Sequence, residues 1–199
     1  TGFIWLATEN GVNIYDGNKV RQLPGPDNSF EDIAIYNVLE DENDLIWLNV
    51  DGRKLYSYNP KTDSYQHIPI KLAQGFDYYI TDLINDYDNK IWLLTSKTLG
   101  VYNQVTNEYQ QVIDLESELA GNLSLFQMSL YDGVIYLASK IGVFAYDIEK
   151  NDWKKLPQIQ ADHTKQSNSE ELNKIYTVHA DNNHTLYLGS FDGFYAINV

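Results

Sequence analysis

One apolar hexamer recurs five times along the chain and dominates its pattern of hydrophobic positions. Its clearest copies are LIWLNV at residues 45–50 and KIWLLT at residues 90–95. Apolar side chains fill consecutive positions in both copies, so both faces of an extended strand would be apolar. A strand buried on both faces has this pattern, whereas a half-exposed strand alternates between apolar and polar residues. The hexamer therefore predicts a central strand with packing on both of its faces.

The aromatic residue of the hexamer gives a reference point on which all five copies align. These aromatic residues are Trp5, Trp47, Trp92, Tyr136 and Tyr187. They lie 42 to 51 residues apart, and a leucine follows each of them. The alignment predicts five repeats, at residues 1–30, 31–72, 73–118, 119–165 and 166–199. We expect the five aromatic side chains to form the structural core between repeats.

Each repeat divides into four short strands with turn residues between them. In the second repeat these strands are AIYNVLED, LIWLNV, KLYSYN and SYQHIPI. Sheets of four strands that recur every 40–45 residues or so are typical of β-propeller blades. We therefore predict an all-β fold, a β-propeller of four-stranded antiparallel blades with about five blade repeats here. The repeats should supply three, four, four, four and three strands of a larger ring of about seven blades.

Two other architectures compete with this prediction. A five-bladed ring that closes on itself would use the same repeats. A β-sandwich would also consist of short strands, but it gives no reason for side chains to repeat in register.

The first strand of each repeat departs from simple alternation. Its two apolar residues lie three positions apart, in the pairs Ile35 and Val38, Ile80 and Leu83, Leu125 and Met128, and Ile175 and Val178. Strand residues on one face are separated by two or four positions. A β-bulge, which adds one residue to a strand, would explain the spacing.

Charge and composition exclude several classes of function. The formal net charge is −14 and is spread along the chain, so we expect no nucleic acid partner. The chain contains no cysteine, which excludes disulfides, thiolate metal sites and a cysteine nucleophile. No apolar run approaches the roughly 20 residues that a membrane-spanning helix needs.

No motif in the sequence indicates catalysis. The four histidines, His67, His163, His179 and His184, lack the spacing of metal ligands. The acidic stretches DEND and DYDN lack the glycine and the distal glutamate of a calcium loop, and they lie where hairpin turns need Asp and Asn. We therefore expect no metal, no cofactor and no catalytic residue, so this segment is predicted not to be an enzyme. Glycoside cleavage would require a pair of carboxylates, which could come from distant repeats.

The stretches GFIWLATENGVNIYD, DNKIWLLTSKTLGVYN and DGVIYLASKIGVFAYD resemble the two-component regulator propeller repeat. The resemblance covers essentially the whole chain. It implies a periplasmic or extracellular sensor region of an inner-membrane hybrid two-component regulator of the Bacteroidetes type, which responds to oligosaccharides from polysaccharide breakdown. It also implies neighbouring propeller and immunoglobulin-like domains, a histidine kinase elsewhere in the parent protein, and a homodimer. The alternatives are a protein-interaction or dimerisation propeller without its own small ligand and, third, a propeller lyase or glycosidase.

Ligand binding is expected on the loops at one end of the repeats. The loops between strands two and three share that end with the connections between repeats, and both sets vary in sequence. Aromatic and charged side chains of these loops are the candidate ligand-binding residues: Arg53, Phe76, Tyr78, Lys97, Lys140, Phe191 and Asp192. Phe126 is a further candidate for stacking on a sugar ring. A solvated loop or a contact between repeats is the competing interpretation for each of them.

Overall fold

The computed structural model describes residues 2–71, 78–86, 88–118, 124–157, 174–191 and 193–199. Within these residues, 18 strands form five antiparallel sheets. The helical segments are short, a 3-10 turn at Pro26–Asn28 and α1 at Leu115–Glu118. The chain divides into two compact units, the first with residues 1–95 and 99–113, and the second with residues 96–98 and 114–199.

The first unit contains three sheets in which consecutive strands are neighbours. Sheet 1 consists of β1 (Ile4–Thr8), β2 (Gly11–Tyr15) and β3 (Val20–Leu23). Sheet 2 consists of β4 (Ile35–Glu40), β5 (Ile46–Val50), β6 (Lys54–Asn59) and β7 (Ser64–Ile68). Sheet 3 consists of β8 (Ile80–Asn85), β9 (Lys90–Thr95), β10 (Thr98–Asn103) and β11 (Glu108–Asp114).

The second unit contains two sheets of the same kind. Sheet 4 consists of β12 (Leu125–Tyr131), β13 (Val134–Ser139), β14 (Gly142–Asp147) and β15 (Asp152–Lys155). Sheet 5 consists of β16 (Ile175–Ala180), β17 (Thr185–Ser190) and β18 (Gly193–Asn198). The five sheets thus hold three, four, four, four and three strands, which confirms the strand count predicted from the repeats.

The second strand of the second repeat is buried on both faces, as the hexamer predicts. Every residue of β5 is buried. Ile46 and Leu48 belong to the apolar cluster between sheets 1 and 2. Trp47, which is 1 % exposed, points the other way into the cluster between sheets 2 and 3. Because side chains alternate along a strand, β5 supplies apolar groups to two separate interfaces at once.

The aromatic residues of the hexamer differ in burial between the repeats. Those of the three middle repeats are buried: Trp47, Trp92 and Tyr136. Trp5 and Tyr187, which the sequence places in the core with them, are only half-buried. Trp5 meets the ring edge of Tyr58 in sheet 2, while the other face of β1 is exposed. Tyr187 stacks on Phe194 within sheet 5, on the face away from the apolar cluster with sheet 4. Each of these two sheets buries one face within its unit, which limits the burial of its aromatic residue.

An aspartate six positions before the aromatic residue fixes it in three repeats. Asp41 Oδ2 accepts a hydrogen bond from Trp47 Nε1 at 2.8 Å. The equivalent bonds join Asp86 with Trp92 at 3.0 Å and Asp181 with Tyr187 at 3.2 Å.

The same aspartates hold the hairpin turns at the start of the second strands. Asp41 Oδ1 accepts the backbone N–H groups of Asn43 and Leu45, each at 2.9 Å. Asp181 holds its own turn in the same way. The acidic stretch DEND therefore has the turn chemistry that its sequence predicts.

A β-bulge interrupts the first strand of four repeats. The register shifts in β4, β8, β12 and β16, each time by one residue between the two apolar positions. The extra residues are Tyr36, Thr81, Phe126 and Tyr176. The bulge predicted from the three-residue spacing is thus confirmed, and it introduces an additional side chain at the start of each of these strands.

Replacing Asp41 tests the bond that anchors the buried tryptophan. In Asp41→Ala the buried indole N–H of Trp47 and two turn amides lose their acceptor, so we expect the free energy of unfolding to fall by about 2–4 kcal/mol. In Asp41→Asn the side-chain oxygen can still accept hydrogen bonds from the turn amides, but the side-chain NH2 group then faces the indole N–H. We expect the free energy of unfolding to fall by about 1–3 kcal/mol. Urea denaturation followed by tryptophan fluorescence measures both.

The matched control is Glu149→Ala, which removes an exposed carboxylate from another turn. We expect it to change stability by about 0.5 kcal/mol or less. If Asp41→Ala unfolds at the same urea concentration as this control, the Asp41–Trp47 bond does not stabilise the fold.

Candidate ligand-binding site

In the first unit, the loop between β5 and β6 is bonded to two connections between sheets. The N–H of Asp51 donates to the carbonyl of Ala34 at 2.8 Å, just before β4. The carbonyl of Gly52 accepts from the N–H of Ile80 at 2.7 Å, at the start of β8. The loop and the connections therefore lie at one end of sheets 2 and 3, as the repeat pattern predicts.

Five residues at this end form a cluster of three tyrosines, one arginine and one glycine, which we call the Arg53 cluster: Tyr36, Gly52, Arg53, Tyr78 and Tyr79. Arg53 Nη2 donates to the hydroxyl of Tyr79 at 2.5 Å. Its guanidinium carbon lies 4.6 Å from the centroid of the Tyr79 ring. The Tyr78 hydroxyl lies 3.5 Å from the carbonyl oxygen of Arg53. Two independent contacts with Tyr79 thus restrict where the guanidinium can lie.

Gly52 leaves room for two exposed tyrosine rings beside the loop. Its φ of 66° is in the left-handed region that favours glycine. A Cβ atom here would lie 3.2 Å from Cδ1 of Tyr79 and 3.6 Å from Cε2 of Tyr36. Tyr36 is 63 % exposed and Tyr79 is 50 % exposed. The cluster therefore presents two aromatic rings to solvent beside a fixed cation.

Tyr78 lies beneath the exposed part of the cluster and is half-buried. Burial raises the pKa of its hydroxyl above the ordinary value for tyrosine. The hydroxyl therefore stays protonated at neutral pH and can donate a hydrogen bond.

The second unit contains a second aromatic pair on the equivalent bulges. The rings of Phe126 and Tyr176 lie 4.9 Å apart between centroids with 36° between their planes. Tyr176 is exposed, and Phe126, the further stacking candidate, is half-buried. The loop after β13 is bonded to the connection before β12, because the N–H of Lys140 donates to the carbonyl of Ser124 at 3.1 Å. The second unit thus repeats the combination of bulge and loop that forms the Arg53 cluster.

The structure brings together two of the residues predicted to bind a ligand, Arg53 and Tyr78. The predicted residues Lys97, Lys140 and Phe191 belong to three separate loops of the second unit, where Lys140 and Phe191 are exposed and Lys97 is half-buried. The carbonyl of Lys97 accepts from Leu115 at 2.9 Å. The predictions for Phe76 and Asp192 fall outside the described residues.

Sequence reasoning missed Tyr36, Tyr79 and Tyr176 as candidates. Tyr36 and Tyr176 are the extra residues of their bulges, so the three-residue spacing marked their positions. An aromatic residue between the two apolar positions of a first strand is the signal that would have found them. Tyr79 lies next to the predicted Tyr78, and no feature of the sequence distinguishes their roles.

Within the residues that the structure describes, no group of three or more histidine, aspartate or glutamate side chains is arranged to hold a metal ion. The described helices are also too short and too polar for any of them to cross a membrane. The Arg53 cluster combines exposed aromatic area, a cation and hydroxyl groups.

Comparison with known proteins gives matches at the level of structure. No protein-family model matches the sequence, and no curated protein matches it. The extracellular domain of BT4673 from B. thetaiotaomicron, described as a hybrid two component system, matches with a TM-score of 0.77 and 20% identity over 98% of this chain. The extracellular domain of BT3049 from B. thetaiotaomicron, described in the same way, matches with a TM-score of 0.72 and 18% identity over 100% of this chain.

A WD40 β-propeller with a very different sequence is also similar in structure to this chain. The WD40 β-propeller domain of Doa1 matches with a TM-score of 0.69 and 10% identity, covering 98% of this chain and 60% of that chain. This chain spans 25% of the BT4673 chain and 27% of the BT3049 chain. The predicted β-propeller fold is confirmed.

Two matched glycine variants test whether the Arg53 cluster depends on Gly52. Gly52→Ala and Gly133→Ala both place a side chain at positive φ after an aspartate, but nothing lies within 4 Å of the added Cβ at Gly133. We expect Gly133→Ala to lower the free energy of unfolding by about 1–2 kcal/mol from backbone strain alone. Gly52→Ala should cost roughly 1 kcal/mol more, because the added Cβ would lie 3.2 Å from the Tyr79 ring, which must shift. Equal losses in urea denaturation would show that the Tyr79 ring does not crowd Gly52.

Proposed function

We propose that this chain is a ligand-sensing part of the periplasmic or extracellular region of a hybrid two-component regulator, and that its ligands are oligosaccharides. The observation that carries the proposal is the Arg53 cluster, in which two exposed tyrosine rings lie next to Gly52, the residue before Arg53. Tyrosine offers a large, rigid ring and a polar hydroxyl at low cost in conformational entropy. Such rings suit the C–H faces of a sugar, and the adjacent donors suit its hydroxyl groups.

The structural neighbours support the sensing context of this proposal. BT4673 and BT3049 share the fold in domains that are described as extracellular, in proteins described as hybrid two component systems. In that context the parent protein carries further propeller and immunoglobulin-like domains, an inner-membrane anchor and a histidine kinase, and it acts as a homodimer.

The chain acts in this role by binding and not by catalysis. Arg53 follows the strand β5 of sheet 2, while Tyr78 and Tyr79 directly precede β8 of sheet 3. A ligand that contacts both sides stabilises one arrangement of these neighbouring segments over others. Such a difference in affinity between arrangements is what a sensor needs to pass on a signal.

Calorimetry against a panel of neutral and acidic oligosaccharides tests the proposed function. We expect at least one oligosaccharide to bind, and Tyr36→Ala to weaken its binding about tenfold or more, because exposed aromatic residues dominate such contacts. The control is Phe194→Ala, which removes an aromatic side chain that is 70 % exposed on β18, in the second unit. It should leave the affinity within about twofold.

A folded protein that binds no oligosaccharide of the panel would contradict the proposal. Circular dichroism and a cooperative thermal transition establish that each variant is folded. Concentration-dependent self-association without glycan binding would instead favour a protein-interaction propeller, and turnover of a bound glycan would favour a lyase or glycosidase.

A further inference from the structure

The second unit carries an exposed aromatic pair, which consists of Phe126 and Tyr176. Both are the extra residues of bulges, in the strands β12 and β16. Their ring centroids lie 4.9 Å apart with 36° between the ring planes, within the range of favourable aromatic contacts. Tyr176 is 44 % exposed and Phe126 is half-buried, so the pair presents aromatic surface to solvent.

A bulge in this fold does not require an aromatic residue. In β8 the same position carries Thr81, whose hydroxyl donates to the carbonyl of Leu94 at 3.2 Å. The two bulges of the second unit are packed by the apolar residues on either side of them, which are all 5 % exposed or less: Leu125, Met128, Ile175 and Val178. Packing of the bulges therefore does not account for two aromatic rings at these positions.

Two hydrogen bonds hold the strands that carry the pair side by side. Gln127 Oε1, on the residue after Phe126, accepts from the N–H of Val178 at 3.1 Å. The Ser129 hydroxyl oxygen accepts from the buried N–H of Ala180 at 2.9 Å. Because the two strands are anchored on each other, the rings keep their separation before a ligand arrives. Such preorganisation lowers the entropy that is lost on binding.

We propose that the Phe126–Tyr176 pair is a second saccharide-binding site, on which the apolar C–H face of a pyranose ring packs. Rigid aromatic rings give large contact area to such a face. The Tyr176 hydroxyl can both donate and accept a hydrogen bond, which suits the hydroxyl groups around the sugar ring. The inference rests on the proposed function for the saccharide class, and it adds a site in the second unit to the one in the first.

A nuclear magnetic resonance titration of the whole chain resolves the two sites. Isotope-labelled protein is titrated with trisaccharides of glucose, xylose, mannose and galacturonic acid. The backbone N–H of Ile80, which is bonded to the carbonyl of Gly52, reports on the Arg53 cluster. The backbone N–H of Val178, which is bonded to Gln127, reports on the aromatic pair of the second unit.

Three variants separate the two sites: Tyr36→Ala, Tyr176→Ala and Phe126→Leu. The control is Phe194→Ala, which removes another exposed aromatic side chain of the second unit. Circular dichroism establishes that each variant is folded.

The expected result is that at least one trisaccharide shifts both signals to saturation. Tyr176→Ala and Phe126→Leu should weaken the binding seen at Val178 about tenfold or more and leave that seen at Ile80 within about twofold. Tyr36→Ala should have the reverse effect, and the control should change neither by more than about twofold.

Saturation of the Ile80 signal alone, with no effect of Tyr176→Ala, would overturn the inference and leave the proposed function intact. A folded protein in which neither signal responds to any trisaccharide would overturn both. A response at Val178 alone that is lost in Tyr176→Ala would support the inference and contradict the assignment of the ligand to the Arg53 cluster.

Discussion

The fold depends on burying the strands β5 and β9 on both faces while giving the indole N–H of each tryptophan a hydrogen-bond acceptor. In β5 the side chains of Ile46 and Leu48 enter one interface between sheets, and Trp47 enters the next. Burial of the indole ring contributes stability only if its N–H finds an acceptor, because an unpaired buried donor costs about 1–3 kcal/mol. Asp41 supplies that acceptor and also closes the turn before β5. One carboxylate thus couples a local turn to packing between sheets.

Because of this coupling, some parts of the repeat must keep their residues from one repeat to the next, whereas other parts can vary. The second strand and its turn are constrained by packing, so their residues recur. The bulge of the first strand and the loop after the second strand face fewer packing constraints, and they carry Tyr36 and Arg53 in the second repeat. In the fourth and fifth repeats the same bulge positions carry Phe126 and Tyr176. Recognition is accordingly expected at the end of the sheets where the repeats differ.

Much of the fold could be predicted from the sequence because its signals are periodic. The hexamer, the turn residues and the three-residue spacing predicted the strand count, the buried strands and the bulges. The candidate site was harder to predict from the sequence. Tertiary structure determines where a side chain at a bulge points and which two segments lie side by side. Arg53 and Tyr78 were found by residue type, and the three-residue spacing marked the position of Tyr36, but no local pattern shows that the rings of Tyr36 and Tyr79 both lie next to Gly52. The half-buried Trp5 shows the same limit for the core.

A crystal structure of the protein with a bound oligosaccharide tests the central claim, that the repeats form the scaffold and their variable end binds the ligand. We expect a sugar ring in contact with Tyr36 or Tyr79 and a polar substituent within hydrogen-bond distance of Arg53. A sugar bound instead along the outer strands β7 or β11, with the Arg53 cluster empty, would contradict it.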